Sequence, residues 1–359
     1  MKELVYSCPW WKNRKSSWSG THLSLYNALS KYYKILNFDY GEKHFYNRIN
    51  NMLGHIGKKD TMRMDVINYY NKKYRKKYAN TPQCVFQFEE CPTVVEGESY
   101  IYVDMIVGYL KNLMDINSKL FQYTGFVDRQ SYISKREDMQ YKFLNSNNVT
   151  ILTMGKWQAK WIRENYPLNH ERVYAVGGGY NINPNEINDS NKTGNKVLFI
   201  GKDFKRKNGP LVVEAFKKAK KRKKDLELYI IGPRIIENNS EDNIHFLGEL
   251  TFDKIPYYFN MCDILCMPSR YEAYGLVFPE ALTYGLPCIG SKMFEMPYFI
   301  EDNKTGILIS GDSIDECANA IINLVDNITI KTNVRENRTY YLNEYSWDAV
   351  AARVARIIG

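Results

Sequence analysis

From Lys196 onward, short apolar runs alternate with amphipathic helical stretches, and few folds accept that alternation. Lys196–Gly201, Leu226–Gly232, Ile244–Leu247, Asp263–Pro268, Pro287–Gly290 and Gly306–Ile309 read as strands. Between them, Gly209–Arg222, Phe252–Met261, Gly275–Tyr284 and Ser313–Val325 read as helices. Strand–helix alternation of this kind predicts an α/β fold, a parallel sheet with helices on both faces. Such sheets bind ligands at the carboxyl ends of their strands.

The first half is less regular. Residues 1–150 are rich in Tyr, Asn and Lys, and three apolar runs, Lys31–Phe38, Cys84–Phe88 and Ser99–Asp104, read as strands. A helix follows Gly20, with Thr21 as its N-cap and Leu23, Leu25, Tyr26, Leu29 and Tyr32 at helical spacing. Val149–Met154 then reads as a strand, Trp157–Tyr166 as a helix and Arg172–Val176 as a strand. Gly177–Gly194 is polar and turn-rich, the pattern of a linker. At 359 residues the chain has room for about two domains.

Composition narrows the function. No run approaches the roughly 18 apolar residues of a membrane span, and the first residues lack the apolar core of a secretory signal. Seven scattered cysteines, none in a C-x-x-C pair, support neither a disulfide framework nor a zinc knuckle, so a reducing, cytoplasmic setting is expected. Cys262 and Cys266 read as buried thiols. With 49 Lys and Arg against 40 Asp and Glu, the formal charge is +9. That favours an anionic partner: nucleic acid, lipid headgroups or a phosphorylated small molecule.

Three glycine-marked segments carry candidate chemistry. In Val197–Gly209 a strand runs into Gly201, and Lys202, Lys205, Arg206 and Lys207 precede the next helix. Positive charge at a strand's carboxyl end beside a helix N-terminus suits a diphosphate, although such a run is also an ordinary solvated loop. In Met267–Pro287, Gly275 allows a tight turn, and the amides of Gly275, Leu276 and Val277 open a helix that Gly285 and Pro287 stop. Glu272 before that helix and Glu280 within it can reach separate parts of one extended ligand. Gly177-Gly178-Gly179 reads as a structural turn that helps a hinge.

The second string resembles the E-x7-E signature of retaining, nucleotide-sugar-dependent glycosyltransferases of the GT-B fold (glycosyltransferase family four, glycosyl transferases group 1). The first is similar to that family's Gly-Arg/Lys…Lys-Gly diphosphate loop. The resemblance spans roughly residues 149–350, including Ser346-Trp347-Asp348, and in the first half rests on Ser19-Gly20-Thr21. It implies two Rossmann-like domains facing across a cleft: an acceptor-side domain at 1–178, a linker at 179–194, a nucleotide-sugar domain at 195–340, and a helix at 341–359 crossing back. Lys202 and Lys207 would neutralise the donor diphosphate beside Gly201, with Lys202 a point charge where many relatives have arginine. Glu272 would bind hydroxyls of the donor sugar near Tyr274 and Gly275. The Leu276 and Val277 amides would touch the distal phosphate, Glu280 would accept from the ribose, and the backbone at Gly248–Leu250 would meet the base. Gly20 and Thr21 would approach the diphosphate as well.

One departure stands out. Many relatives carry a histidine late in the first domain, yet no histidine lies between His55 and His170. Asp104 either occupies that region as a catalytic group or caps the following helix. His22, His44 and His55 read as surface or core residues. No Asp-x-Asp occurs, so no divalent cation or other cofactor is expected beyond the nucleotide-sugar co-substrate. The expected partners are a nucleotide-diphosphate sugar, UDP-linked, and a glycan or lipid-linked acceptor, with peripheral contact at the inner membrane face and no nucleic acid. The basic, aromatic stretch Asn68–Tyr78 either lies on an anionic membrane or is a solvated helix face, and Lys217–Lys224 reads as a solvated helix end. A GT-B binder or epimerase without transfer, and a basic nucleic-acid-binding protein, are the competing readings.

Overall fold

The computed structural model describes residues 1–10, 13–39, 52, 63–78, 84–88, 97–127, 130–190, 192–233 and 243–359. His44, His55 and Cys91 lie outside the described residues. The chain divides into two compact units: Met1–Gly179 together with Trp347–Gly359, and Tyr180–Ser346.

The first unit holds β1 (Glu3–Cys8), α1 (Thr21–Leu29), β2 (Lys34–Asp39), α2 (Arg63–Tyr78), β3 (Val85–Phe88), β4 (Ser99–Val103), α3 (Val107–Ile116), α4 (Gln130–Leu144), β5 (Val149–Thr153), α5 (Lys156–Asn165) and β6 (Val173–Ala175). Its strands form one all-parallel sheet in the order β2-β1-β3-β4-β5-β6. Every residue of β3, β4 and β5 is buried, which is why these strands read as continuous apolar runs rather than alternating ones. Ile101, Val103, Phe143, Ile151, Ala159 and Ile162 make one core, while Tyr70 and Tyr74 of α2 pack on Val5, Phe38 and Val85.

The second unit holds β7 (Lys196–Ile200), α6 (Gly209–Arg222), β8 (Glu227–Ile231), β9 (Ile244–Gly248), α7 (Ile255–Met261), β10 (Ile264–Cys266), α8 (Val277–Thr283), β11 (Cys288–Ser291), β12 (Gly306–Ile309), α9 (Ile314–Asp326), α10 (Ile328–Glu336) and α11 (Arg338–Glu344). These strands are also all parallel, ordered β12-β11-β10-β7-β8-β9. The last helix, α12 (Trp347–Ile358), belongs to the first unit, where it packs on α1; Lys31 and Asp348 pair at 2.6 Å, and Arg353 Nε donates to Val176 O at 2.7 Å. The two sheets and their flanking helices are those of the GT-B fold.

The sequence reading misplaces a few boundaries. Thr21 is not the N-cap of α1: Gly20 holds that position at φ 88, a left-handed value that strongly favours glycine, and Thr21 is the first helical residue. Asp104 does not cap α3, whose N-cap is Ile106; the Val107 amide donates instead to Gln140 Oε1 at 2.7 Å. The helix expected from Gly275 begins at Val277, because Gly275 sits at φ 93. Residues 180–190 and 192–194 are packed into the second unit. Tyr180 N donates to Tyr345 O at 2.8 Å, Asp189 pairs with Arg338 at 2.8 Å, and the Lys192 ammonium donates to the Phe259 and Cys262 carbonyls at 3.0 and 2.7 Å.

Candidate functional site

In the second sheet the chain leaves β7, adds β8 and β9 on one side, and returns to place β10 on the other. The carboxyl ends of β7 and β10 therefore flank the point where strand order reverses, the position at which open α/β sheets hold ligands. The two loops leaving these strands are those that carry the basic run and Glu272. They are stitched together: Arg270 N donates to Arg206 O at 2.9 Å, Arg206 Nη1 to Tyr271 O at 2.9 Å, and Arg270 Nη1 to Lys205 O at 3.0 Å.

Inside this seam lies a buried ion pair. The Lys207 ammonium donates to Glu272 Oε2, and both side chains are over 90% buried. Arg206 Nη1 stands 3.6 Å from Glu272 Oε1, and Ser269 Oγ donates to Oε2 at 3.4 Å. Burial pushes the Glu272 carboxyl up, but Lys207, Arg206 and the hydrogen bonds outweigh it, and the group stays below its ordinary range. Burial lowers the Lys207 ammonium while Glu272 pulls it back up. Removing either partner would leave an uncompensated buried charge, at a cost of about 3–5 kcal/mol. Gly275 closes over the pair: a Cβ there would lie 3.1 Å from Glu272 Cγ and 2.9 Å from the Phe278 ring.

Not every residue named from the sequence joins this group. Lys202 is exposed and pairs with Glu249 at 3.1 Å, in the segment Gly248–Leu250 that follows β9. Its charge is paired with Glu249 and not with Glu272. Gly201 lies against the Lys207 stem. Glu280, on α8, accepts from Asn181 N at 3.0 Å, and burial pushes its carboxyl up to about 7. Tyr274 is buried edge-on to Phe299, while Leu276 and Val277 stay partly exposed at the start of α8. Arg206 and Ser269 have no individual role in the sequence reading; the signal for Arg206 is its membership in the basic run.

In the first unit, Gly20 and Thr21 close the turn that follows β1. Trp18 and Ser19 precede them at φ 44 and 55, each costing about 1–2 kcal/mol in this left-handed region. His22 is a core histidine: burial lowers its ring to about 3, and Nδ1 lies 2.7 Å from Ser17 Oγ. Asp104, partly buried, follows β4. Cys262 and Cys266 are buried thiols, with Cys266 Sγ 3.8 Å from Cys317 Sγ. The basic stretch at the end of α6 is partly paired: Lys217 pairs with Glu214, Lys218 with Asp315 and Lys223 with Asp326.

Comparison with known proteins bears on this seam. The family described as "Glycosyl transferases group 1" matches residues 183–356. That match covers just under half of the chain. The matched residues include the loops after β7 and β10, Glu272 and Glu280. A "41.2 kDa protein in cps region" of Klebsiella pneumoniae is 32% identical over 149 residues, covering 40% of this chain and 39% of that one. A glycosyltransferase of Methanocaldococcus jannaschii is 23% identical over 225 residues, covering 60% and 61%. The chain therefore spans less than two thirds of either relative. A GDP-mannose-dependent mannosyltransferase of Mycobacterium tuberculosis is 30% identical over 122 residues, 32% of each chain. Among solved structures, WaaG, a glycosyltransferase involved in lipopolysaccharide biosynthesis, superposes over 99% of both chains with a TM-score of 0.66 at 15% identity. Anabaena HepE in complex with UDP and glucose covers 99% of both, with a TM-score of 0.65 at 12% identity. At such identities these two structures establish the shared fold.

Proposed function

We propose that this chain is a retaining glycosyltransferase that moves a sugar from a UDP-sugar to a glycan or lipid-linked acceptor in cell-surface polysaccharide synthesis, without a divalent cation. The observation that carries the reading is the Lys207–Glu272 pair, buried where β7 and β10 diverge within the residues that match the group 1 family. A glutamate held ionised in a dry seam accepts strongly from sugar hydroxyls, and Arg206 and Lys207 leave positive charge beside it for a departing diphosphate. The roles follow. Glu272 orients the donor sugar, with Tyr274 and Gly275 shaping its pocket; Lys207, Arg206 and the Leu276 and Val277 amides stabilise the leaving diphosphate; Glu280 accepts from the ribose. Gly248–Leu250 meets the base, Lys202 adds charge at that edge beside Gly201, and Gly20 and Thr21 contact the diphosphate. Removing one such transition-state donor commonly costs about 3–4 kcal/mol. Asp104, which follows β4, is the candidate catalytic side chain of the first unit. The leaving phosphate itself takes the acceptor's proton, so no strong protein nucleophile is required.

A lipid-linked acceptor would bring the enzyme to the inner face of the membrane, and charge distribution supports that. The first unit carries 28 Lys and Arg against 17 Asp and Glu, the second 21 against 23. On α2, Lys72, Lys73, Arg75, Lys76 and Lys77 are exposed, and none forms an ion pair with an acid among the described residues. No helix of the described residues is long and apolar enough to cross a membrane. Each such cation near an anionic surface contributes about 1 kcal/mol.

The test is a thermal-shift screen of UDP-, GDP- and other nucleotide sugars, followed by mass spectrometry of the stabilising donor with candidate acceptors. Stabilisation by a UDP-sugar and mass transfer to the acceptor are expected, unchanged by EDTA. Activity lost to EDTA and restored by manganese would overturn the metal-independent part. Stabilisation by no nucleotide sugar would overturn the whole reading.

A further inference from the structure

β1 is the strand at which the first sheet reverses its order, since β2 lies on one side of it and β3 on the other. The chain leaving β1 thus enters the region where parallel sheets hold ligands. There the backbone does something its sequence does not favour. Trp18, Ser19 and Gly20 are left-handed in succession, at φ 44, 55 and 88, and only the last is glycine. A bulky residue in this region is an outlier that surrounding contacts must enforce.

Those contacts come from both ends of the turn. Ser17, immediately before it, and His22, two residues after it, are each at least 98% buried, and Ser17 Oγ lies 2.7 Å from His22 Nδ1. Tyr6 Oη, from β1, donates to His22 O at 2.6 Å. The imidazole packs on Phe88 at 4.5 Å and on Trp18 at 5.3 Å, and Trp18 meets Phe88 and Tyr102 edge-on at 5.7 and 6.0 Å. The turn opens directly into α1, nine residues long, whose N-cap is Gly20, a residue with no side chain to cap it. First-turn side chains lean toward a helix's N-terminal end. His22 Nε2 is buried without a hydrogen-bond partner among the described residues.

We propose that the Ser17–His22 hydrogen bond is a clasp that holds the Trp18–Gly20 turn in its left-handed form, so that the turn meets the donor diphosphate already shaped, with His22 as a positioning residue. This rests on the donor reading given above, and it adds two residues that reading does not use. Without the clasp, Trp18 and Ser19 relax to ordinary backbone angles, and a ligand has to rebuild the turn out of its own binding energy. Burial of the imidazole against Trp10, Trp18 and Phe88 keeps it neutral.

The experiment compares Ser17→Ala, His22→Phe and His22→Asn with the native full-length chain, and with Ser16→Ala as a control, because Ser16 Oγ donates to Asn13 O outside the clasp. Hydrogen exchange of the amides of residues 18–23, read by mass spectrometry, needs no ligand. Calorimetric titration with UDP and with GDP reads the diphosphate. Ser17→Ala and His22→Phe should exchange these amides at least about tenfold faster and bind the nucleotide about tenfold more weakly. His22→Asn, which keeps a nitrogen near the Nδ1 position, should recover part of both, and Ser16→Ala should match the native chain. Unchanged exchange in Ser17→Ala and His22→Phe would refute the clasp. Faster exchange with unaltered nucleotide affinity would refute its role toward the diphosphate. A native chain that binds neither nucleotide would sink the donor reading, and exchange alone would then decide whether the clasp exists.

Discussion

Donor binding should expel a proton from Glu280. An ordinary glutamate ionises near 4.5; burial pushes this one up to about 7, and the single hydrogen bond from Asn181 N pulls the other way without winning. At pH 6 such a group is about 90% protonated. A ribose that donates hydroxyls to its oxygens stabilises the carboxylate and returns it toward its usual range. Binding UDP-glucose at pH 6 should therefore release close to one proton (about 0.9), and apparent affinity should be roughly tenfold weaker at pH 6 than at pH 8. The free protein shows the same group with the opposite sense. Between about pH 4.5 and 7 the folded state holds a proton that the unfolded chain has lost, so Glu280's contribution to stability declines as pH rises through that window, by at most about 3 kcal/mol. Titration calorimetry at pH 6 in two buffers of different ionisation enthalpy measures the proton directly. Glu280→Gln keeps an acceptor for Asn181 N and abolishes the titration, so its binding should neither release a proton nor vary between pH 6 and 8. Equal proton release from Glu280→Gln and the native chain, or none from either, would show that Glu280 does not face the ribose.

Other perturbations separate the remaining contributions. His22 has a folded value lowered to about 3, so its stabilising contribution is complete above about pH 6.5 and lost as pH falls toward 3, at up to about 1.4 kcal/mol per pH unit; urea unfolding at pH 5 and 7 should show this slope in the native chain and its loss in His22→Phe. Glu272→Ala strands the Lys207 cation in a buried seam and should cost about 3–5 kcal/mol in thermal unfolding; Glu272→Gln strands the same charge but keeps a hydrogen-bond acceptor for it, so its cost should fall toward the lower end of that range, with sugar transfer lost in both. Gly232→Ala places a Cβ 2.5 Å from the Gly201 carbonyl carbon at φ 120, so it should cost about 1–3 kcal/mol and weaken nucleotide binding by displacing the Gly201–Lys202 peptide.

The second unit was the more legible one for a physical reason. Strands buried on both faces carry unbroken apolar runs, so β7 and β12 fall within a residue of their expected limits, and α6 starts and stops where Pro210 and the basic tail mark it. In the first unit, α2 buries tyrosines rather than aliphatic residues, and its lysines mask the period; the pattern looks polar all round although Tyr70 and Tyr74 are core. The turn at Ser17–His22 was invisible for a different reason. Left-handed backbone is normally announced by Gly or Asn, and here Trp18 and Ser19 adopt it because buried side chains on either flank hold them there.

The basic run after β7 shows where a sequence argument from charge stops. Lys202, Lys205, Arg206 and Lys207 are neighbours in the chain, and as a string they suggest one patch of positive charge. A tight turn between strand and helix instead sends them in different directions, because each residue rotates the side chain relative to the last. Lys207 turns inward and is consumed by Glu272; Lys202 turns outward to Glu249. The inward pair sits in low dielectric, where charge interactions are strong, and the outward pair is screened by water and worth about 0–1 kcal/mol. Any hold on a diphosphate at this seam therefore depends on Arg206 and on how Lys207 divides itself between Glu272 and the ligand, which a count of four cations does not reveal.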